Sequence, residues 1–541
     1  MRKLISLTLA ILMATSLFGG LAVLAAPAEG GIFRAVVGGG PAFDPQTNGG
    51  YDGSVYLAQL YEGLFVYGND GQIRMGAAES YTISDDNLVY TFKMRPEGMW
   101  SDGKPVTAHD FEFAYKRLVT PELLSSTALT LGGFFKNGAA IVNGEMAPDE
   151  LGVKALDDMT LEITLEAVTP YIDDVLCHTS FSPVRSDVAV VGDNGKWANV
   201  SNQANVITNG PYKLDEWVED VSLRFVRNEY YYDPSHQIPE AMEFTIVADD
   251  NAALSAYMAG NIDYSLRAPS EEIPRLNAEG IFHSSSRLGT YFLIINNNIE
   301  PYSDPRVRKA LALSVDPVYI AESVLNNRFS PAEAFIGPGY AGATGDFREE
   351  GGKLIPRDDY EGNVAEAQRL LTEAGFPNGE GFPVLSYMYI DNVNNTAIAE
   401  ALQGFWEENL NITVSLEAIE GGAMGEMMER REFEITRQGW LSDYNDALDP
   451  MSIFTSYQAV NAGDYLNEKF NELYLQAQRT PDRAERMAMV HEMENMLLVE
   501  DMGTIPLLHY RFTMIYDTNK IDGIFTSPAG LIYFTEVRVA E

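Results

Sequence analysis

Between Asn87 and Arg95 the apolar residues fall on alternate positions, at Leu88, Tyr90, Phe92 and Met94. That period of two predicts a strand with one buried face. Leu161, Ile163 and Leu165 repeat the pattern, as do Ile412, Val414, Leu416 and Ala418, and then Phe433, Ile435 and Arg437. Leu223 and Phe225, with Tyr230, mark another group. Helical spacing interleaves with these strands. Phe111, Ala114, Tyr115 and Leu118 recur at three and four residues, behind a Thr107…Asp110 pair that resembles a capping box. A helix is predicted from Asn251 to about Gly260. Asp304-Pro305 and Asp316-Pro317 each read as an N-cap followed by proline in the first helical position. Val307, Ala310, Leu311 and Ser314 then line one face. Asn363 with Glu366 is predicted to begin a further helix, with Leu370 and Leu371 inward and Gly375-Phe376-Pro377 as the stop. Thr480-Pro481 is predicted to open a long helix whose Met487, Val490, Met493 and Leu497 fill core. Strands and helices alternating over the whole chain imply a mixed α/β fold.

Length changes the picture by adding scale. The 541 residues correspond to about three domain-sized units at roughly 150 residues each. The N-terminus is set apart by composition. Arg2 and Lys3 precede an apolar run over residues 4–18, and Leu24-Ala25-Ala26 supplies small residues for cleavage, so residues 1–26 read as a signal peptide. The single cysteine, Cys177, excludes an internal disulfide. It also lies far from the signal peptide, so it is not a lipid-modified N-terminal cysteine, and a free periplasmic protein is expected. As a thiol it reads as a buried small hydrophobe. The net charge of −41 repels phosphate backbones and anionic headgroups, which argues against nucleic acid as a partner.

Catalytic patterns are missing. The six histidines have no metal-ligand spacing, and His491-Glu492-Met493-Glu494-Asn495 ends in Asn where a zincin needs His. Cys177 beside His178 does not by itself place an imidazole on a thiol. No nucleophile elbow or Walker A loop occurs. Gly337-Pro338-Gly339-Tyr340-Ala341-Gly342 has dinucleotide-loop letters, but Pro338 interrupts it and no helix follows, so it reads as a glycine loop. No catalytic residue, metal or cofactor is expected.

Three stretches resemble the extracellular solute-binding proteins of family 5, the oligopeptide- and dipeptide-binding proteins. The first holds Asp44-Pro45, Tyr61-Glu62-Gly63-Leu64 and the most specific piece, Trp100-Ser101-Asp102-Gly103-Lys104-Pro105-Val106-Thr107-Ala108-His109-Asp110-Phe111. The second is Asn209-Gly210-Pro211-Tyr212-Lys213-Leu214 followed by Gly260-Asn261-Ile262-Asp263. The third runs from Phe433 to Asn445. The resemblance implies an α/β, bilobal, flytrap-like periplasmic-binding-protein fold. Its first lobe would comprise residues 27–61, 187–287 and 511–541, with an extra α/β domain of residues 62–186 inserted. The second lobe would be residues 288–510. A peptide would lie between the lobes and pass to the permease and ATPase complex of an ABC importer in the inner membrane, with the binding protein a monomer. A same-fold protein for another ligand, such as an oligosaccharide, a nickel chelate or an opine-like compound, is the alternative.

Arg437-Gln438-Gly439-Trp440-Leu441-Ser442-Asp443-Tyr444-Asn445 carries the implied site. By resemblance Asp443 grips the ligand ammonium, Arg437 holds a carboxylate, and the backbone of Gly439, Trp440 and Leu441 pairs with the peptide. Tyr444 and Asn445 complete the segment. Tyr51 would approach the ligand from the N-terminal loop, and Tyr510 would line the cleft near the hinge. Read without the resemblance, Asp443 is a turn residue and Arg437 a surface ion pair. The chain also departs from the enteric oligopeptide-binding proteins. Their disulfide joins the positions matching Gly289 and Leu441. Gly421 stands where they carry a cleft tryptophan, and Gly49 where they carry an acid. A reshaped pocket is expected on that side.

Overall fold

The computed structural model describes residues 30–190, 195–458 and 460–540; the signal-peptide reading of residues 1–26 lies outside them. Side-chain caps set the helix boundaries. Asp304 accepts the Arg306 N–H at 2.8 Å at the head of helix Pro305–Leu313. Asp316 does the same for Val318 and Tyr319 ahead of Pro317–Tyr319. Thr107 caps Ala108–Val119, its own N–H donating to Asp110 at 2.8 Å. Each cap satisfies an N–H that the first turn leaves without a partner.

Two expected boundaries move. The helix assigned to Asn363 begins one turn earlier, as Tyr360–Glu373, because Asp359 accepts the Gly362 N–H at 2.9 Å. Asn363 is engaged elsewhere, donating to the Pro356 carbonyl. Thr480-Pro481 does not open the methionine helix. The Thr480 hydroxyl donates to the Gln476 carbonyl, closing helix Glu468–Arg479, and Asp482 caps Arg483–Asn495. In both places a carboxylate free to accept supplies the cap. Met487, Val490, Met493 and Leu497 are buried as expected.

An 11-stranded sheet runs through the described residues. At its centre lie three strands: β1 (Phe282–Ile295), β2 (Ile435–Leu441) and β3 (Thr504–Tyr516). β1 pairs antiparallel with β2 from Gly289↔Leu441 to Ile295↔Ile435. It pairs antiparallel with β3 along both halves of its length. Beyond β2 the sheet continues through Leu385–Ile390 and Val414–Ile419. Beyond β3 it continues through Tyr264–Ser265, Ile32–Val36, Ala241–Thr245, Ser222–Arg227 and Tyr212–Val218. β1 and β3 therefore pass from one half of the molecule to the other. Where they cross, the register slips: between Ser286↔Arg511 and Thr290↔His509, β1 advances four residues against two on β3. Arg287, Leu288 and Gly289 occupy this bulge.

Two large apolar cores lie either side of the crossing. One holds Phe292, Leu311, Tyr387, Trp406 and Met493. Trp406 is fully buried and donates its indole N–H to the Leu311 carbonyl at 3.1 Å. At ~200 Å² for such a ring and ~25 cal/mol per Å², its burial is worth roughly 5 kcal/mol. The other core holds Phe33, Tyr56, Phe225 and Phe512, and is continuous with Trp100, Phe111 and Leu161. Those last residues belong to a four-stranded sheet, Ala78–Ile83, Val89–Met94, Thr160–Thr164 and Val153–Asp157, with helix Ala108–Val119 against it. Among the described residues no helix is long and apolar enough to cross a membrane.

Candidate functional site

A cavity of about 250 Å³ opens where the two cores meet. Its walls include the segment before and into helix Tyr51–Leu60, the turn around Asp174 to Thr179, the β1 bulge, and Leu441-Ser442-Asp443 at the end of β2, with Tyr67, Thr127, Ala529 and Leu531 completing it. Each part is fixed by backbone or side-chain bonds. The Ser442 N–H donates to the Leu288 carbonyl at 2.9 Å, tying the end of β2 to the bulge. Asp174 accepts from the Tyr67 hydroxyl at 2.7 Å and from the Asn445 N–H at 2.9 Å, bridging the two sides. Burial pushes the Asp174 carboxyl up to about 6, against the pull of these two bonds.

Asp443 stands in this cavity without a hydrogen bond among the described residues. The ion-pair partner nearest to it among the described residues is His178 Nε2, 4.0 Å away. His178 Nδ1 accepts the Ser180 N–H at 3.2 Å, which leaves the ring proton on Nε2. Burial holds this imidazole below its ordinary value, so it is neutral. The carboxylate therefore has a neutral N–H nearby and no cation. Asp443 sits in a bend after β2 and makes no cap hydrogen bond. Asp443 also presses on Asp449, which is buried and receives the Trp440 indole N–H at 2.9 Å. Burial first, then Asp443, raise the Asp449 carboxyl to about 7.

The other sequence-predicted residues divide. Tyr51 and Leu441 line the same cavity as Asp443, and the Tyr51 hydroxyl donates to the Gly530 carbonyl at 2.9 Å. Trp440 and Tyr444 face a second cavity of about 360 Å³ with Asp449, Tyr171 and Tyr474. Tyr444 is buried there, stacked on Tyr171 at 5.5 Å. Asn445 is held in place by the glycine loop, accepting the Ala341 N–H and donating to the Gly339 carbonyl. Arg437 lies over the Tyr291 ring at 4.6 Å and donates to the Tyr510 hydroxyl at 3.3 Å. Gly439 admits that hydroxyl, since a Cβ there would stand 2.2 Å from it. Arg437, Gly439 and Tyr510 do not line the Asp443 cavity.

β2 leaves an edge free. Leu385–Ile390 pairs with it only at Ile435 and Thr436, so from Arg437 to Leu441 its other edge has no strand partner among the described residues. Gly289 and Leu441, the pair matching the relatives' disulfide, are direct partners across β1 and β2. A Cβ at Gly289 would sit 2.6 Å from the Leu441 side chain, so the glycine makes room for the leucine. Gly49 lines the cavity, whereas a Cβ on Gly421 would meet nothing.

Sequence reasoning missed Arg287. It sits in the β1 bulge, lines the cavity, and lies over the Tyr51 ring at 4.2 Å and the Phe512 ring at 5.1 Å. A lone arginine inside a strand carried no signal, because the bulge that aims it is a feature of pairing. Cys177 was expected to be buried. It is half-buried in the cavity wall, its thiol donating to the Asp173 carbonyl at 3.4 Å.

The model of the bacterial extracellular solute-binding proteins, family 5, matches residues 72–462. The chain belongs to that family. This family 5 protein is 32% identical over 479 residues to the dipeptide-binding protein DppE of Bacillus subtilis, covering 88% of this chain and 86% of that one. Its fold matches the murein tripeptide binding protein MppA of Escherichia coli with a TM-score of 0.79 and 28% identity, over 95% of this chain and 99% of the other. It also matches OppA of Haemophilus influenzae in complex with RPPGFSPFR, with a TM-score of 0.76 and 28% identity, over 95% and 100% of the two chains. The fold is thus the bilobal one of the periplasmic binding proteins.

Proposed function

We propose that this family 5 protein captures peptides in the cleft at Asp443 and delivers them to the permease of an ABC importer, without chemistry on the ligand. The observation that carries this reading is an uncompensated carboxylate beside an unpartnered strand edge. A half-buried carboxylate without a cation gains from an ammonium far more than from a neutral group. A free edge from Arg437 to Leu441 offers main-chain hydrogen bonds to any extended peptide, whatever its side chains. Relatives named for dipeptides and oligopeptides, and one solved with a peptide, support the same ligand class. In this reading residues 1–26 are cleaved on export to the periplasm, no lipid is attached, and the protein acts as a monomer. Residues 27–61, 187–287 and 511–541 form one jaw, residues 62–186 extend it, and residues 288–510 form the other.

Asp443→Asn tests the assignment by calorimetry. A charge-assisted bond contributes about 1.5–3 kcal/mol, so affinity for peptides with free N-termini should fall about 10- to 100-fold. N-acetylated peptides, weak on the native protein, should be little changed. Equal affinities in the native and variant proteins would remove Asp443 from the site.

A further inference from the structure

Arg287 is the second uncompensated charge in the cleft. Among the described residues its guanidinium makes no hydrogen bond and no ion pair; its contacts are the faces of Tyr51 and Phe512. Asp443 lines the same cavity but forms no ion pair with Arg287, and two other acids near it are engaged. Asp52 accepts the Gly39 N–H at 2.8 Å and lies 3.5 Å from Arg267. Asp174 is held by Tyr67 and Asn445. A half-buried cation that stacks on aromatic rings and has no anion retains its hydrogen-bonding edge for a partner from outside. Its position is built: the bulge between Ser286 and Thr290 takes Arg287 out of the β1–β3 ladder, and bulges of this kind re-aim a side chain next to functional sites.

Asp443 and Arg287 wall the same cavity of about 250 Å³. One wants a cation and the other an anion, with a free strand edge beside them. That volume falls just below the ~300–1,000 Å³ usual for pockets enclosing drug-sized ligands. We infer that Arg287 is the carboxylate anchor of the cleft, so that the preferred ligand is a short zwitterionic peptide held by both ends, ammonium on Asp443 and carboxylate on Arg287. The inference rests on the peptide reading above. It assigns the anion to Arg287 rather than to Arg437, which donates to the Tyr510 hydroxyl and does not line the cavity that holds Asp443.

The test compares trialanine, its C-terminal amide and its N-acetyl form on the native protein and on Arg287→Gln, by calorimetry. Unchanged thermal midpoints would show that the variant is folded. The native protein should bind the acid about 10- to 100-fold more tightly than the amide. Arg287→Gln should bind the two alike while still rejecting the N-acetyl form, a separation that general loosening of the fold would not produce. The amide of Ala-Glu-Ala distinguishes the two sources of a carboxylate. If it binds the native protein as weakly as the trialanine amide, the anchor reads the chain terminus; if it binds like the acid, a side-chain carboxylate serves and the two-ended reading is overturned. A native protein that binds trialanine and its amide equally, or an Arg287→Gln variant that keeps the full preference for the acid, overturns the anchor and leaves peptide capture standing. A native protein that binds none of a set of short and long peptides overturns both.

Discussion

Asp449→Asn should flatten the dependence of stability on pH between about pH 5.5 and 7. Asp449 is buried, and its carboxyl is raised from 3.8 to about 7, chiefly by burial and then by the charge of Asp443. In the unfolded chain it titrates near its ordinary value of ~3.9. Between those two values the folded protein holds a proton that the unfolded chain has released. Stability is therefore greatest below the unfolded value, declines as pH rises towards 7, and levels off above it. At 1.36 kcal/mol per pH unit, the decline from about pH 5.5 to 7 amounts to ~2 kcal/mol. Asn cannot ionise, yet its carbonyl can accept the Trp440 N–H as Asp449 does, so the variant loses the titration and keeps the bond. Glu62, raised to about 7, and Asp174, raised to about 6, tilt the native curve in the same direction, so the quantity to read is the difference between native and variant. Denaturant midpoints of both proteins across this window measure it. Parallel curves would refute the argument, because they would mean that Asp449 is ionised in the folded state at pH 5.5.

Two further outcomes follow from packing. Gly289→Ala would put a Cβ 2.4 Å from the Trp440 carbonyl oxygen; backbone cannot retreat cheaply there, so a loss of ~1–3 kcal/mol is expected in denaturant unfolding. Arg117→Met would leave Asp44 buried without its cation; Arg117 grips it through both terminal guanidinium nitrogens in a buried pair. About 3–5 kcal/mol should be lost, and Asp44→Asn added to it should cost less than the sum of the two single changes in a double-mutant cycle.

Much of the local structure was legible in sequence because it depends on near neighbours. Asp304, Asp316 and Thr107 cap the helices that follow them, and the alternating run at Val89–Met94 is a strand with Tyr90, Phe92 and Met94 buried. The misplacements at Asn363 and Thr480 arose where several polar residues competed for one helix start and a bond to the preceding chain engaged the candidate that was picked. Asp443 and the β2 edge were reached through the family motif. Arg287 was not, since its role depends on a slip between strands whose partners lie over 200 residues apart in sequence. The same holds for the surroundings of Arg437: Tyr291 and Tyr510, which contact it, come from two other strands.

The crossing of β1 and β3 also bears on how the proposed jaws would move. The chain passes between the halves in two neighbouring strands of one sheet, not in flexible loops. A hydrogen-bonded ribbon resists sliding in its own plane but yields to torsion, the deformation already built into every sheet. Opening would then be a twist shared over several peptide planes, like a torsion bar with a fixed axis, and each closure would return the two jaws to the same alignment. Stiffness then becomes an inherited property of the ribbon from residues 282 to 286 and its partners at 511 to 515. Changes along that ribbon can tune how readily the protein opens while leaving untouched every residue that meets the cargo.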